Sequence, residues 1–167
     1  MKMTDALIQE LEQEAATTRR VLERVPNDRL AWKPHAKSRS LGQLALHIAT
    51  VPGGVATLAS TPVAQVPNLE NEPTASSAAE LLPALDESIA KARGILQGLD
   101  DASMQATLRI MAGDRELMSI PRAGFLRAIM LNHWYHHRGQ LSVYLRELNV
   151  PVPSIYGPSA DENPFAA

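Results

Sequence analysis

With 167 residues, 45% hydrophobic and 20% charged, the chain has the make-up of one globular domain able to bury its own core. A formal net charge of −2 offers no electrostatic footprint for nucleic acid or an anionic membrane surface. The absence of cysteine excludes disulfides, thiolate metal sites and cysteine nucleophiles, and leaves histidine and carboxylate ligands open.

The N-terminal stretch "MKMTDALIQELEQEAATTRR" carries charges every few residues and has no apolar core, so it does not read as a signal peptide. It predicts an amphipathic helix from about Thr4 to Val25, with Leu7, Leu11, Ala15, Thr18, Leu22 and Val25 on one face and Pro26 as its stop. A second helix begins at "SLGQ", where Ser40 and Gln43 have capping-box spacing. Its seam reads Leu44, His47, Val51, Val55 and Leu58. Pro52 removes the amide that would bond the Ile48 carbonyl, and Gly53 and Gly54 follow, which predicts a kink or break one turn after His47.

No Asp, Glu, Lys or Arg occurs from Leu41 to Leu69, but His47, Pro52 and the glycines interrupt the apolar character. The pattern is that of a buried helix followed by a neutral loop, with no membrane span, and the expected location is the cytoplasm. The proline-bearing segment Ser60 to Ser77 reads as a long connection within one domain, residues 1–167. A third helix, from about Ala78 to Leu99, repeats the rhythm of the first through Leu82, Leu85, Ile89, Ala92, Leu96 and Leu99, with Pro83 tolerated in its first turn. Apolar–polar alternation on both sides of "AGD" between Thr107 and Ile120 predicts a small β-hairpin. The fourth helix runs from about Arg122 to Leu148, and the Pro- and Gly-rich tail after it is irregular.

That last helix carries "LNHWYHHRGQLSVYLREL", with three of the chain's five histidines. On a wheel of about 100° per residue, His133 and His137 fall inside the apolar stripe of Leu126, Met130, Leu141, Tyr144 and Leu148, while His136 lies at its edge. His47 holds a similar seam position in the second helix. Two imidazoles at i and i+4 with a third from a facing helix can share one ion. Histidines bonded to neighbouring carbonyls in a core are the plain alternative, and spacing leaves both open. Trp134 follows His133 directly, so the glutamate of a zincin is absent. His35 reads as solvated, Arg138 as solvated or as a holder of an anionic substrate group, Gln140 as a partner for His137 or an exposed side chain, and Gly139 as a point of close helix packing. Leu131, Trp134 and Tyr135 form a second apolar side, suited to the hairpin or to another subunit.

The runs "LGQLALHIA", "NHWYHHRGQLSVYLREL" and "VPVPSIYGPSADE", with "LERVPNDRLAWKPHAKSRS" upstream, resemble the DinB family of metalloenzymes, a name unconnected here with the translesion DNA polymerase. The resemblance spans nearly the whole chain. It implies an all-α fold: a four-helix bundle with a long crossover connection, here joined by the small hairpin before the last helix. It also implies an open site in which His47, His133 and His137 hold zinc or nickel, with His136 outside it, and a homodimer. The activity it implies is a thiol-dependent transferase or isomerase acting on a small-molecule electrophile. With no cysteine in the chain, the thiol must come from a low-molecular-weight cofactor. A metal-dependent hydrolase is the alternative, with Glu14, Asp161 or Glu162 as its candidate base. A second is a non-catalytic metal- or ligand-binding protein of the stress response. The tail's own residues leave two readings open: through Tyr156, Asp161 and Glu162 it packs over the bundle and shapes the substrate opening, or it packs elsewhere or frays.

Overall fold

In the computed structural model, which describes residues 2–67 and 72–166, the first amphipathic pattern forms helix α1, Met3–Leu22. Thr4, Leu7, Leu11, Thr18, Val21 and Leu22 are its buried residues, close to the seam read from the sequence. Helix α2 spans Leu41–Ala59, and the Ser40–Gln43 capping box closes as expected, with Gln43 N donating to Ser40 Oγ at 3.1 Å. Helix α3 follows over Leu81–Gln97, after a 3-10 turn at Ala78–Glu80. Helices α1 and α2 each pack against α3 and against the last helix.

The predicted break in α2 does not occur, because two neighbours mend the damage done by Pro52. Trp134 Nε1 donates to the Ile48 carbonyl at 2.8 Å, replacing the amide that proline lacks. Gly53 N donates to Ser88 Oγ of α3 at 2.8 Å. A Cβ on Gly53 would sit 2.9 Å from the Ser88 carbonyl, so glycine here permits the close approach of α2 and α3. By contrast, a Cβ on Gly139 would meet nothing, and the packing role expected of that residue is absent. Helix α2 is long and apolar enough to cross a membrane by length and composition, but twelve of its residues are buried within this fold.

A short helix α4, Asp101–Gln105, is capped by Asp100 and leads into strands β2, Thr107–Ala112, and β3, Arg115–Pro121. These two pair antiparallel around Gly113, whose φ of +58° suits the leading position of a two-residue hairpin turn. The hairpin expectation holds, but the fold is not all-α. Strand β1, Val63–Gln65, adds to β2 in parallel, with Ala64 opposite Ile110, giving a three-stranded sheet in the order β1-β2-β3. Three residues are too few to show a period, so this strand emerges only through its partner. It lies in the long connection from Ser60 to Ser77, of which residues 68–71 lie outside the described residues.

The last helical run continues without interruption from helix α5, Arg122–Phe125, through a π-helical segment, Leu126–Asn132, into helix α6, His133–Glu147. Arg122 is buried, and its guanidinium donates to the carbonyls of Ala59 at 2.5 Å and of Ser103. It thereby ties the end of α2 and the loop helix α4 to the start of the histidine-bearing run. A buried charge of this kind is tolerable only with such partners.

Candidate metal centre

His133 and His137 stand one turn apart on α6, and His47 faces them from α2. Their ring centroids are 5.3 Å (His47–His133), 4.6 Å (His47–His137) and 4.4 Å (His133–His137) apart, with interplanar angles of 80–90°. One ring nitrogen from each lies within 4.8 Å of the other two. The three expected ligands are therefore brought together. Among the described residues no fourth histidine or carboxylate joins them. His136 is exposed and outside the cluster, and His35 is exposed far along the chain.

The rings are poor at satisfying themselves. His47 Nε2 is buried without a hydrogen-bond partner, and His133 Nδ1 has only the poorly placed Ile129 carbonyl beside it. His133 Nε2 and His137 Nε2 face each other at 2.8 Å. His137 Nδ1 donates to Gln140 Oε1 at 2.7 Å, which leaves its Nε2 with a lone pair directed into the cluster. Buried imidazole nitrogens converging with so few partners are costly in a plain core and suited to a cation. Gln140 thus takes the partner role, while its own side chain stays exposed.

Burial pushes the pKa of His47 down from 6.5 to about 4, with the Arg39 charge adding to it. His137 falls to about 4, again chiefly by burial, against the opposing pull of Gln140. His133 is lowered by burial and Arg39, opposed by the Ile129 carbonyl. All three are consequently neutral near pH 7, the form that binds a metal.

Two residues that sequence reading overlooked complete this end of the site. Arg39 NH1 lies 3.4 Å from His137 Nε2, while its Nε and NH2 grip the Glu72 carboxylate. The pair holds Glu72 below the usual carboxylate range and Arg39 above its own. Arg39 precedes the cap Ser40, so helix start chemistry marked its place, but nothing local marked Glu72 as its partner. From the histidines a cavity of about 580 Å³ extends between α2, the π-helical segment and the sheet. Val51, Val55, Leu58, Ile110, Met118, Phe125 and Ile129 line its body, and Arg39, Gln43, His47, Glu72 and His133 line its polar end.

Other expectations change. Leu131 and Trp134 are fully buried inside the chain, packed on α2 and the core, while Tyr135 is partly buried with its hydroxyl donating to Glu10 at 2.9 Å. Arg138, read as solvated, is 1% exposed and pairs with Glu14 at 2.6 Å, with Tyr156 stacked over its guanidinium. The tail does pack on the helices: Asp161 holds Arg146, Glu162 holds Arg20 at 2.5 Å, and Tyr156 donates to Glu14 at 2.8 Å. Yet no described residue of the tail lines the cavity, and Glu14, Asp161 and Glu162 are all engaged with arginines away from it. The tail therefore braces α1 and α6 and does not frame the opening.

Comparison with known proteins agrees with the resemblance. The sequence model of the DinB family matches residues 1–164. The uncharacterized protein YrdA of Bacillus subtilis (strain 168) is 26% identical over 160 residues, covering 95% of this chain and 90% of that protein. Two crystal structures share the fold. A DinB-like protein from Bacillus cereus ATCC 10987 aligns with a TM-score of 0.70 at 22% identity, over 91% of this chain and 97% of its own. The DinB-like protein YjoA of Bacillus subtilis aligns with a TM-score of 0.65 at 21% identity, over 87% and 96%.

Proposed function

The chain belongs to the DinB family, and from that premise we propose that it is a metal-dependent enzyme, a thiol-dependent transferase or isomerase acting on a small electrophile. The observation that carries the metal reading is the set of converging, neutral and partly orphaned imidazoles of His47, His133 and His137. Zinc and nickel both suit three imidazoles with an open position. A bound ion would supply Lewis acidity, lowering the pKa of a thiol or water in that position. The chain's own residues supply the setting: Gln140 orients His137, Trp134 holds α2 in line beneath His47, and the cavity gives the site a mostly apolar surround.

No cysteine is present, so the nucleophilic sulfur belongs to a small-molecule thiol, which the reduced cytoplasm would provide. The transferase reading is preferred to hydrolysis because the candidate bases Glu14, Asp161 and Glu162 are bound to arginines elsewhere. Mutual packing of α1, α2, α3 and α6 supports a four-helix bundle with a crossover through β1. A homodimer stays part of the proposal by family habit, and light scattering at micromolar concentration tests it. The deciding experiment for the function is metal analysis of the purified protein, followed by electrophile turnover with and without added thiol. Turnover that is metal-dependent but indifferent to thiol would move the assignment to hydrolysis. A protein that binds metal and turns nothing over would move it to a binding role.

A further inference from the structure

We propose that the small-molecule substrate carries a carboxylate head and an apolar body, with Arg39 gripping the head beside the metal and the cavity enclosing the body. The inference rests on the metal reading above and adds the substrate's chemistry to it.

Arg39 is an odd neighbour for a cation site. Its guanidinium lies 3.4 Å from His137 Nε2, and a fixed positive charge there opposes a bound metal. Glu72 offsets that charge through Nε and NH2, and leaves NH1 turned towards the histidines. The one lone pair NH1 approaches belongs to Nε2, because His137 Nδ1 is committed to Gln140. An ion on Nε2 takes that lone pair, so NH1 is left without an acceptor in a partly buried position. An anionic group beside the ion, clear of the position left to the thiol, restores the bond and balances both positive charges. A carboxylate has acceptor oxygens for that guanidinium edge and carries the charge.

The rest of the cavity sets the other half of the molecule. Beyond Arg39, Gln43, the two histidines, Glu72 and Thr50 its lining is apolar, with Val55, Ile110 and Phe125 among its walls. About 580 Å³ lies within the range of sites that enclose a small ligand, and far exceeds what a bare acetate fills. The sharp division between a charged end and an apolar body fits an amphiphilic acid better than a uniformly polar metabolite.

Calorimetric titration of the zinc-loaded protein with octanoate, acetate and 1-octanol tests this. Zinc titration comes first, and failure to bind zinc would overturn the metal reading and this inference together. With zinc bound, octanoate should bind at least about 100-fold more tightly than acetate, since about six more methylenes are buried. It should also bind about tenfold more tightly than 1-octanol. The Arg39→Gln/Glu72→Gln double variant removes the pair without leaving either charge alone. It should retain zinc, lose about tenfold in octanoate affinity and leave 1-octanol unchanged. Equal binding of octanoate and acetate, or undiminished octanoate binding by the zinc-loaded double variant, would overturn the inference while leaving the metal reading intact.

Discussion

Trp134 Nε1 donates to the Ile48 carbonyl at 2.8 Å, and Ile48 is the residue whose carbonyl Pro52 leaves without a helical partner. His47 and His133 are the immediate sequence neighbours of these two residues, so the bond that mends α2 also sets the facing histidines in register. The Trp134→Phe variant should lose about 1–3 kcal/mol of stability, the cost of a buried carbonyl left unsatisfied. In a Pro52→Ala background the helix supplies its own amide, so the same substitution should cost less. Urea unfolding of all four combinations measures the coupling, and strict additivity would mean the two defects are unrelated.

Replacing His47, His133 or His137 by alanine should each abolish stoichiometric zinc binding, while His136→Ala retains it. The difference follows from the positions of the rings, three within 4.8 Å of one another and one exposed outside. Equilibrium dialysis with metal analysis gives the result directly. Zinc retained by two of the three single variants would show that the ion sits elsewhere.

Gln140→Ala should weaken zinc about 10- to 100-fold without removing the site, since it frees His137 Nδ1 and loosens the ring. Competition with a chromophoric chelator resolves that range. An unchanged constant would reduce Gln140 to an exposed side chain that happens to touch a ligand.

The metal-free protein should lose stability as pH falls below about 6.5. His47 and His137 have folded pKa values of about 4, so between those limits the unfolded chain binds protons that the folded chain refuses. Stability is therefore fully present above 6.5, declines through the window and levels off below about 4. Denaturation at pH 7 and pH 5 lies mostly above the carboxylate range and isolates the histidines. In a His47→Leu/His137→Leu variant most of the slope should vanish, and its persistence would assign the effect to other groups.

Deleting residues 154–167 should lower stability by about 1–3 kcal/mol and leave zinc affinity unchanged. The deletion removes the anionic partners of Arg20 and Arg146 and the Tyr156 ring over Arg138, but no wall of the cavity. Thermal unfolding and zinc titration of the truncated chain separate the two effects. A loss of zinc affinity at unchanged stability would return the tail to the opening.

The helices and the His133–His137 pair were legible in the sequence because both depend on spacing along one element. Leu7, Leu11, Thr18 and Leu22 announce a face at 3.6-residue period, and His133 and His137 share that period, so their adjacency is local geometry. What only the tertiary structure decided depends on groups far apart in the chain meeting. Ala64 becomes strand only opposite Ile110, and Arg39 becomes a site residue only beside Glu72 and His137. Arg138 is buried because Glu14 and Tyr156 come to it from opposite ends of the chain. Pro52 reads as a helix breaker in any window of the sequence, and it is the indole of Trp134, 82 residues away, that keeps α2 whole. A local pattern states which backbone groups lack partners; the long-range packing of the chain supplies them.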